Sequence, residues 1–427
     1  MDSPRLVAAK ALIRCDQGGY SQLVMDAALK TSGLTGRDAS LATALFYGAL
    51  ERKNTLDHCI ARYTKKPPDA QVRAVLHIAF FSLLYLDRVA EHAVVDEAVK
   101  STRALRRTSA ASMVNAVLRT FLRDGCKIPP ITGDAAEQLT INCSCSKDVA
   151  NRLIDWMGNG KAREILERSM GRPPVFLRVN TLKTSRTALV DILEEQGIKA
   201  DAVEDFPDSL AVTGDAAHAK AFKDGLFHIQ DLSSQKTAML MEAKPGSRLL
   251  DVCAAPGSKS FVLAQEMKNA GSILCADISE GRLRLIEEGA CRLGIDIIKA
   301  CQNDATRYRA DWGLFDGVLC DVPCSGLGAL RRKPELKYRT AAEIDGFAKI
   351  GYDILSTSAH YCKPGGRIIF STCTLNPDEN EGVLQLFLQN HSDFVPDLFS
   401  GDRYFHTNLP GEKGADGFFL SRIRRKL

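Results

Sequence analysis

At 427 residues, with 45% apolar and 25% charged side chains, the chain is too long for one core, and its composition is that of ordinary folded protein, so two or three domains are expected. Met1-Asp2-Ser3-Pro4-Arg5 lacks the basic-then-apolar profile of a secretory leader, and the most apolar run, Ala74 to Leu86, is too short to span a bilayer. The net charge of +4 is uneven: residues 1–130 hold 19 Lys+Arg against 12 Asp+Glu and the remainder is slightly acidic, which excludes a uniformly acidic binder and suggests a polyanion partner for the basic end.

Residues 1 to about 125 read as helical, with apolar residues recurring at three-to-four spacing through Leu6–Ile13, Leu41–Leu50, Val72–Leu86 and Val94–Ala98. Asp38 is placed as an N-cap, and a fresh helix is expected after Pro67-Pro68. From Lys100 to Arg123 there is no acid, while Lys100, Arg103, Arg106, Arg107, Arg119 and Arg123 are basic. A solvated helix face would account for some of this charge; phosphate contact accounts for all of it. Pro129-Pro130 and Thr132-Gly133 mark a linker. A helical stretch from Ser146 to Ser169, broken at Gly158-Asn159-Gly160, precedes an alternating strand at Val175–Asn180, whose Arg178 is placed either against RNA or in a strand-end hydrogen bond. Thr187–Gln196 reads as a helix closed by Gly197, and Gln230-Asp231 as a turn and N-cap before Ser233-Ser234. From Pro245 strands and helices alternate, with strands at Arg248–Val252, Ser272–Ala276, Ile295–Cys301, Gly317–Cys320 and Gly366–Ser371, and a last one over Phe418–Ile423 near a sheet edge.

The second half is organised around Leu249-Leu250-Asp251-Val252-Cys253-Ala254-Ala255-Pro256-Gly257-Ser258-Lys259-Ser260. An apolar strand ends in an acid, turns through small residues and opens into a helix, the arrangement in which backbone approaches a ligand closely. The turn is neither G-x-G-x-x-G nor a Walker loop. Further acids follow at the ends of successive strands, Asp277, Asp304 and Asp321, and in an open α/β sheet those ends converge on one crevice. Taken alone, Asp304 is more readily a turn residue. A carboxylate for a ribose, amides for a carboxylate and a slot for adenine together suit S-adenosylmethionine.

Two thiols are presented in loops after neighbouring strands. Cys324 lies in Asp321-Val322-Pro323-Cys324-Ser325-Gly326-Leu327-Gly328, followed by Arg331, Arg332 and Lys333, which would favour a thiolate and draw phosphate. Cys373 lies in Ser371-Thr372-Cys373-Thr374-Leu375-Asn376-Pro377, after which Asp378 and Glu379 are read as acids beginning a helix. The thirteen cysteines show no C-x-x-C, and Cys143-Ser144-Cys145 has no histidine cluster beside it, so neither disulfides nor a metal site are expected. Two thiols beside S-adenosylmethionine fit one problem. Cytosine C5 is too poor a nucleophile to take a methyl group until a thiolate adds at C6; afterwards the C5 proton and the thiol must leave. An acid such as Asp321 can hydrogen-bond the N3/N4 edge of the base. Spacing alone does not say which thiol attacks.

Phe46-Tyr47-Gly48-Ala49-Leu50-Glu51-Arg52, Leu83-Leu84-Tyr85-Leu86, His92 to Val99 and Val114 to Arg119 resemble, in this order, the NusB-like RNA-binding domain. Residues 175–427 resemble the RNA 5-methylcytosine methyltransferases, and the whole chain is similar to the RsmB (Sun/Fmu) family that methylates cytosine C5 in 16S rRNA. The resemblance implies that Cys253, Ala254, Ala255, Pro256, Gly257, Ser258, Lys259, Asp277, Asp304 and Asp321 hold S-adenosylmethionine, that Cys373 is the nucleophile, and that Cys324 assists release. Ser258, Val322, Thr374 and Lys333 depart from the usual family pattern, each by a small or surface-compatible change.

The expected protein is thus multidomain: an all-α NusB-like domain at 1–128, a linker and small α/β RNA-contacting segment at 129–235, and an α/β Rossmann-like methyltransferase domain at 236–427. It is expected to be cytoplasmic and monomeric, to need no membrane or metal, and to meet 16S rRNA through Arg103, Arg106, Arg107, Arg119, Arg178, Arg331, Arg332 and Lys333. The rival readings are a tRNA cytosine-5 methyltransferase and a non-catalytic RNA-binding, antitermination-type factor.

Overall fold

The structure is a computed structural model that describes residues 2–87 and 89–427. Its contacts divide it into two compact units, one running to Gly171 with Leu330–Ala341 added, the other Arg172–Ala329 with Ala342–Leu427. Among the described residues no helix is long and apolar enough to cross a membrane.

The first unit is helical: α1 (Pro4–Asp16), α2 (Ser21–Ser32), α3 (Gly36–Glu51), α4 (Lys53–Tyr63), α5 (Ala70–Tyr85), α6 (Glu91–Ala104), α7 (Ala111–Arg123), α8 (Ala135–Asn142), α9 (Lys147–Met157) and α10 (Asn159–Arg168). Local chemistry sets many of the ends. Ser3 caps α1 by accepting from Leu6 N, with Pro4 in the first turn, Asp69 caps α5, and Asp134 with Glu137 forms a capping box on α8. Helix α3 begins after Thr35, so Asp38 falls in its first turn and is not the cap. Helix α5 is apolar on every side and buries Val72 and all of Ala74 to Ser82, as expected of a helix surrounded by others. Phe80 stacks on Phe121 of α7 at 4.3 Å between ring centroids, with Tyr63 edge-on to Phe121. Helices α8 to α10 pack with this unit. So does the 330–341 segment, whose Tyr338 hydroxyl donates to Leu50 O (2.7 Å) and whose Lys337 O accepts from Ser146 N (2.7 Å).

The second unit holds two sheets. The smaller has β1 (Val175–Val179), β2 (Lys199–Ala202), β3 (Ser209–Thr213) and β4 (Phe227–Ile229) in the antiparallel order β2-β3-β1-β4. Helix α11 (Arg186–Glu195) covers it with Leu189 and Leu193, and α12 (Lys220–Lys223) precedes β4. After α13 (Leu232–Met239) come β5 (Arg248–Asp251), α14 (Ser258–Glu266), β6 (Ser272–Asp277), α15 (Glu280–Leu293), β7 (Ile298–Gln302), β8 (Phe315–Asp321), α16 (Ala341–Asp345), α17 (Phe347–Ala359), β9 (Cys362–Thr372), α18 (Val383–Asn390), β10 (Phe394–Pro396), β11 (Phe405–Asn408) and β12 (Phe418–Arg425). The larger sheet runs β10-β12-β9-β8-β5-β6-β7, with β11 also pairing β12. Strands β7, β6, β5, β8 and β9 are parallel, so the chain order reverses between β5 and β8. Such a reversal opens a crevice at the carboxyl ends of the strands. Strand β12 is antiparallel and lies near the sheet edge as expected, with only the three-residue β10 outside it. Separate apolar clusters line the two faces, one built on Val318, Ile368, Phe370 and Phe419, the other on Leu249, Val262, Ile273 and Ile286.

Candidate active site

The turn after β5 is fixed from below by backbone and from the side by Asp277. Ala254 N donates to Ala276 O (2.8 Å), and Gly257 N to Ala254 O (2.6 Å). The Asp277 carboxylate, 4% exposed, accepts from Ala255 N (3.1 Å) and Ser279 N (3.0 Å). Gly257 has φ +101°, and a Cβ there would meet the Phe261 ring at 2.6 Å, so only glycine permits this close turn into α14. Helix α14 starts with no side-chain cap and no acid in its first turn, which leaves its positive end suited to an anionic group.

Asp321 ends β8 on the other side of the switch point. Its Oδ2 accepts from Lys259 Nζ (2.6 Å) and its Oδ1 from Ser371 Oγ (2.8 Å), so residues from α14, β8 and β9 meet on one carboxylate. Lys259 also lies 5.2 Å from the Phe418 ring centroid, a cation–π contact. Asp304 follows β7 and accepts from Thr306 N (3.0 Å) and Thr306 Oγ1 (2.7 Å); these bonds, with Arg307 nearby, hold its carboxyl below the usual range.

The two loop thiols converge. Cys324 Sγ lies 3.2 Å from Cys373 Sγ. The Cys324 thiol is held well above its ordinary range, first by its hydrogen bond to Cys373 and then by burial. Either sulfur can donate in this contact, and the raised Cys324 thiol disfavours a thiolate at that position. The expectation that Arg331, Arg332 and Lys333 make Cys324 a thiolate is not met, because the hydrogen bond to Cys373 and burial shift the thiol the other way. The other cysteines of the large sheet and its first turn, Cys253, Cys275, Cys301, Cys320 and Cys362, are pushed up by burial, and among the described residues all cysteines are free.

Over 99% of its length this chain is 34% identical to the probable ribosomal RNA small subunit methyltransferase B of Bacillus subtilis (strain 168), of which it also covers 99%. The family 16S rRNA methyltransferase RsmB/F matches residues 238–424. The chain belongs to the RsmB family. The NusB family matches residues 2–123, and the ferredoxin-like domain of RsmF/B-type methyltransferases matches residues 149–217. A Synechocystis relative, also a probable small subunit methyltransferase B, is 31% identical, with 95% of each chain covered. Among solved structures, that of PH0851 matches with a TM-score of 0.85 and 25% identity, covering 99% of each chain. A methyltransferase homologue from Pyrococcus horikoshii matches with a TM-score of 0.61 and 29% identity, covering 69% of this chain and all of that one.

Within this RsmB-family chain the residues expected to meet RNA separate into different surroundings. Arg103, Arg106 and Arg119 are exposed on the helical unit, with Arg119 Nε donating to Asn115 Oδ1 (3.1 Å). Arg107 is paired with Asp69 at 3.1 Å. Arg178 corrects the expectation: it is 2% exposed, paired with Asp208 at 3.2 Å inside the small sheet, and cannot reach RNA from there. Sequence reasoning missed Glu379. The acids do open a helix, a π-helical turn over Asp378–Gly382 that runs into α18, but the Glu379 side chain is 2% exposed and faces the Cys324 loop. Its neighbour Asn376 carried the one local signal, an Asn-Pro turn directly after a presented thiol.

Proposed function

We propose that this RsmB-family chain transfers a methyl group from S-adenosylmethionine to C5 of a cytosine in 16S rRNA, with Cys373 adding to C6 and Cys324 assisting release. The observation that carries the reading is the 3.2 Å approach of Cys324 Sγ to Cys373 Sγ, on the two loops that leave β8 and β9 just after the Asp321–Ser371 contact. The residues present fit the cofactor. The turn from Cys253 to Lys259, the uncapped start of α14, and Asp277, Asp304 and Asp321 would hold it, the helix end facing its carboxylate. Bound there, S-adenosylmethionine supplies an electrophilic methyl group.

The chain's own groups do the rest. Once ionised, the Cys373 sulfur forms a bond to C6, and the ring's electron pair moves onto C5, which can then accept the methyl. Release requires the C5 proton to pass to a base, the C5–H pair re-forming the C5–C6 double bond as the sulfur–C6 pair leaves on Cys373. Cys324, 3.2 Å from the Cys373 sulfur, is positioned to assist that step. Lys259 and Ser371 orient the Asp321 carboxylate so that it can accept from the amino edge of the base. Addition at C6 needs the face of the ring, so the target cytosine is unpaired or flipped when it reacts. The exposed Arg103, Arg106 and Arg119 supply phosphate contacts on the NusB-like unit.

The test is methyl transfer from labelled S-adenosylmethionine to transcribed 16S rRNA, followed by nucleoside analysis. The expected product is 5-methylcytidine. Label appearing only in tRNA would overturn the substrate assignment, and no labelling of any RNA would favour a binding factor.

A further inference from the structure

We propose that Glu379 is a positioning residue, a clamp that sets the spacing of the Cys324 and Cys373 thiols by tying together the loops that carry them; its role in turnover rests on the thiol assignments above. Strand pairing stops short of both thiols: the last β8–β9 partners are Asp321 and Ser371, with one further bond from Val322 N to Ser371 O. Beyond that point cross-loop contacts must hold the sulfurs together. Glu379 makes the charged one. Its Oε2 accepts from Ser325 N (2.8 Å), the amide directly after Cys324, and its Oε1 accepts from Asn376 Nδ2 (2.8 Å), three residues after Cys373. Both Glu379 and Asn376 are 2% exposed, where a carboxylate bonded to N–H groups is strong and directional.

The rest of the Cys373 loop is built to keep Glu379 in place. Asn376 Oδ1 accepts from Asp378 N (3.1 Å), Asn380 Nδ2 donates to Thr374 O (3.0 Å), and Thr372 Oγ1 donates to Asn380 Oδ1 (2.5 Å). The uncharged ties, Gly328 N to Cys373 O (2.9 Å) and the Ser325–Thr374 hydroxyl pair (2.6 Å), support the same approach without reaching the turn that bears Glu379. Loosening the clamp should let the Cys324 loop drift. Attack by Cys373 would persist while release slowed.

Glu379→Gln tests this in the full chain, because Ser325 N and Asn376 Nδ2 both donate to the carboxylate and an amide can accept through only one end. Adding Asn376→Asp turns one of those donors into an acceptor, restores complementarity with the roles exchanged and preserves net charge. The first readout needs no RNA. Diamide oxidises two adjacent thiols to a disulfide, its diazene taking up their two protons and two electrons to become a hydrazine, and the Cys324–Cys373 cross-link is counted by peptide mass spectrometry. Glu379→Gln should cross-link at least fivefold more slowly than wild type, and the double variant within twofold of it. In the second readout, with 16S rRNA and S-adenosylmethionine, Glu379→Gln should accumulate a denaturation-resistant protein–RNA adduct while its affinity for S-adenosylmethionine stays within twofold. Cross-linking of Glu379→Gln at the wild-type rate, or failure of the double variant to recover, would overturn the clamp. If wild type formed no adduct and no 5-methylcytidine, the thiol assignments would fall, and the cross-linking rates would still decide whether Glu379 sets the spacing.

Discussion

Asp251 ends β5 with its carboxyl 1% exposed, one oxygen accepting from Ser260 Oγ (2.6 Å) and the other without a hydrogen-bond partner. Ser260 in turn accepts from the Cys275 thiol (3.1 Å), so a short polar chain joins β5, α14 and β6 beneath the turn. Burial pushes the Asp251 carboxyl up to about 7, against the pull of Ser260 and Lys259. The folded form thus binds its proton more tightly than the unfolded chain does. Stability is unaffected below about pH 4, falls as pH rises toward 7, and the whole penalty, on the order of 2–4 kcal/mol, is present above it. Asp251→Asn, which mimics the neutral acid, should be more stable than wild type at pH 8 and equal to it at pH 4. Denaturant melts across that range check this, and parallel curves for the two proteins would contradict it. The acids at the strand ends were legible as a set from the sequence, but their separate states were not. Asp251, Asp277 and Asp304 follow similar strands, yet one is buried with an oxygen unsatisfied, one holds the turn's amides and one closes its own loop.

The α4–α5 pair of the helical unit is joined by a cluster whose chemistry spans sixteen to twenty residues of sequence. Asp57 accepts from His77 Nε2 (2.7 Å) and from the Arg73 guanidinium. Burial alone would raise the Asp57 carboxyl, but the bonds from His77 and Arg73 outweigh it and bring it down to about 2. Here the unfolded chain binds the proton more tightly, so the stabilisation is fully present above about pH 4 and is lost as pH falls toward 2. Asp57→Asn should cost roughly 1–3 kcal/mol at pH 7 and little at pH 2, read from unfolding midpoints. The helices themselves were readable because apolar spacing and capping chemistry are local. Strand β4 was not: at three residues, Phe227–Ile229 is too short to show a period, and its existence depends on pairing with β1. Nor did local pattern show that Arg422 of β12 is 4% exposed and pairs with Glu242 and Asp397 from elsewhere in the chain.

At the scale of the whole molecule, one continuous motif serves two units. The loop from Asp321 to Ala329 belongs with the large sheet, whereas the residues that follow, with Arg331, Arg332 and Lys333, pack with the helical unit. There Lys337 is fully buried, its ammonium 3.5 Å from Cys143 O, and burial lowers it to about 8. Sequence order alone presented Arg331–Lys333 as neighbours of Cys324 in function as well as in position, because contiguity in a motif gives no sign of where the chain leaves one core for another. The thiols, by contrast, were found by the reasoning that finds any α/β site: residues presented just beyond the carboxyl ends of adjacent parallel strands. Their approach to 3.2 Å is the observation on which the proposed division into an attacking and a releasing thiol rests. The most direct test compares wild type, Cys373→Ala and Cys324→Ala with labelled S-adenosylmethionine and 16S rRNA on a denaturing gel. Cys373→Ala should neither methylate nor cross-link, and Cys324→Ala should stall as a covalent protein–RNA adduct. Adduct accumulating in Cys373→Ala and absent from Cys324→Ala would reverse the two roles and contradict the account.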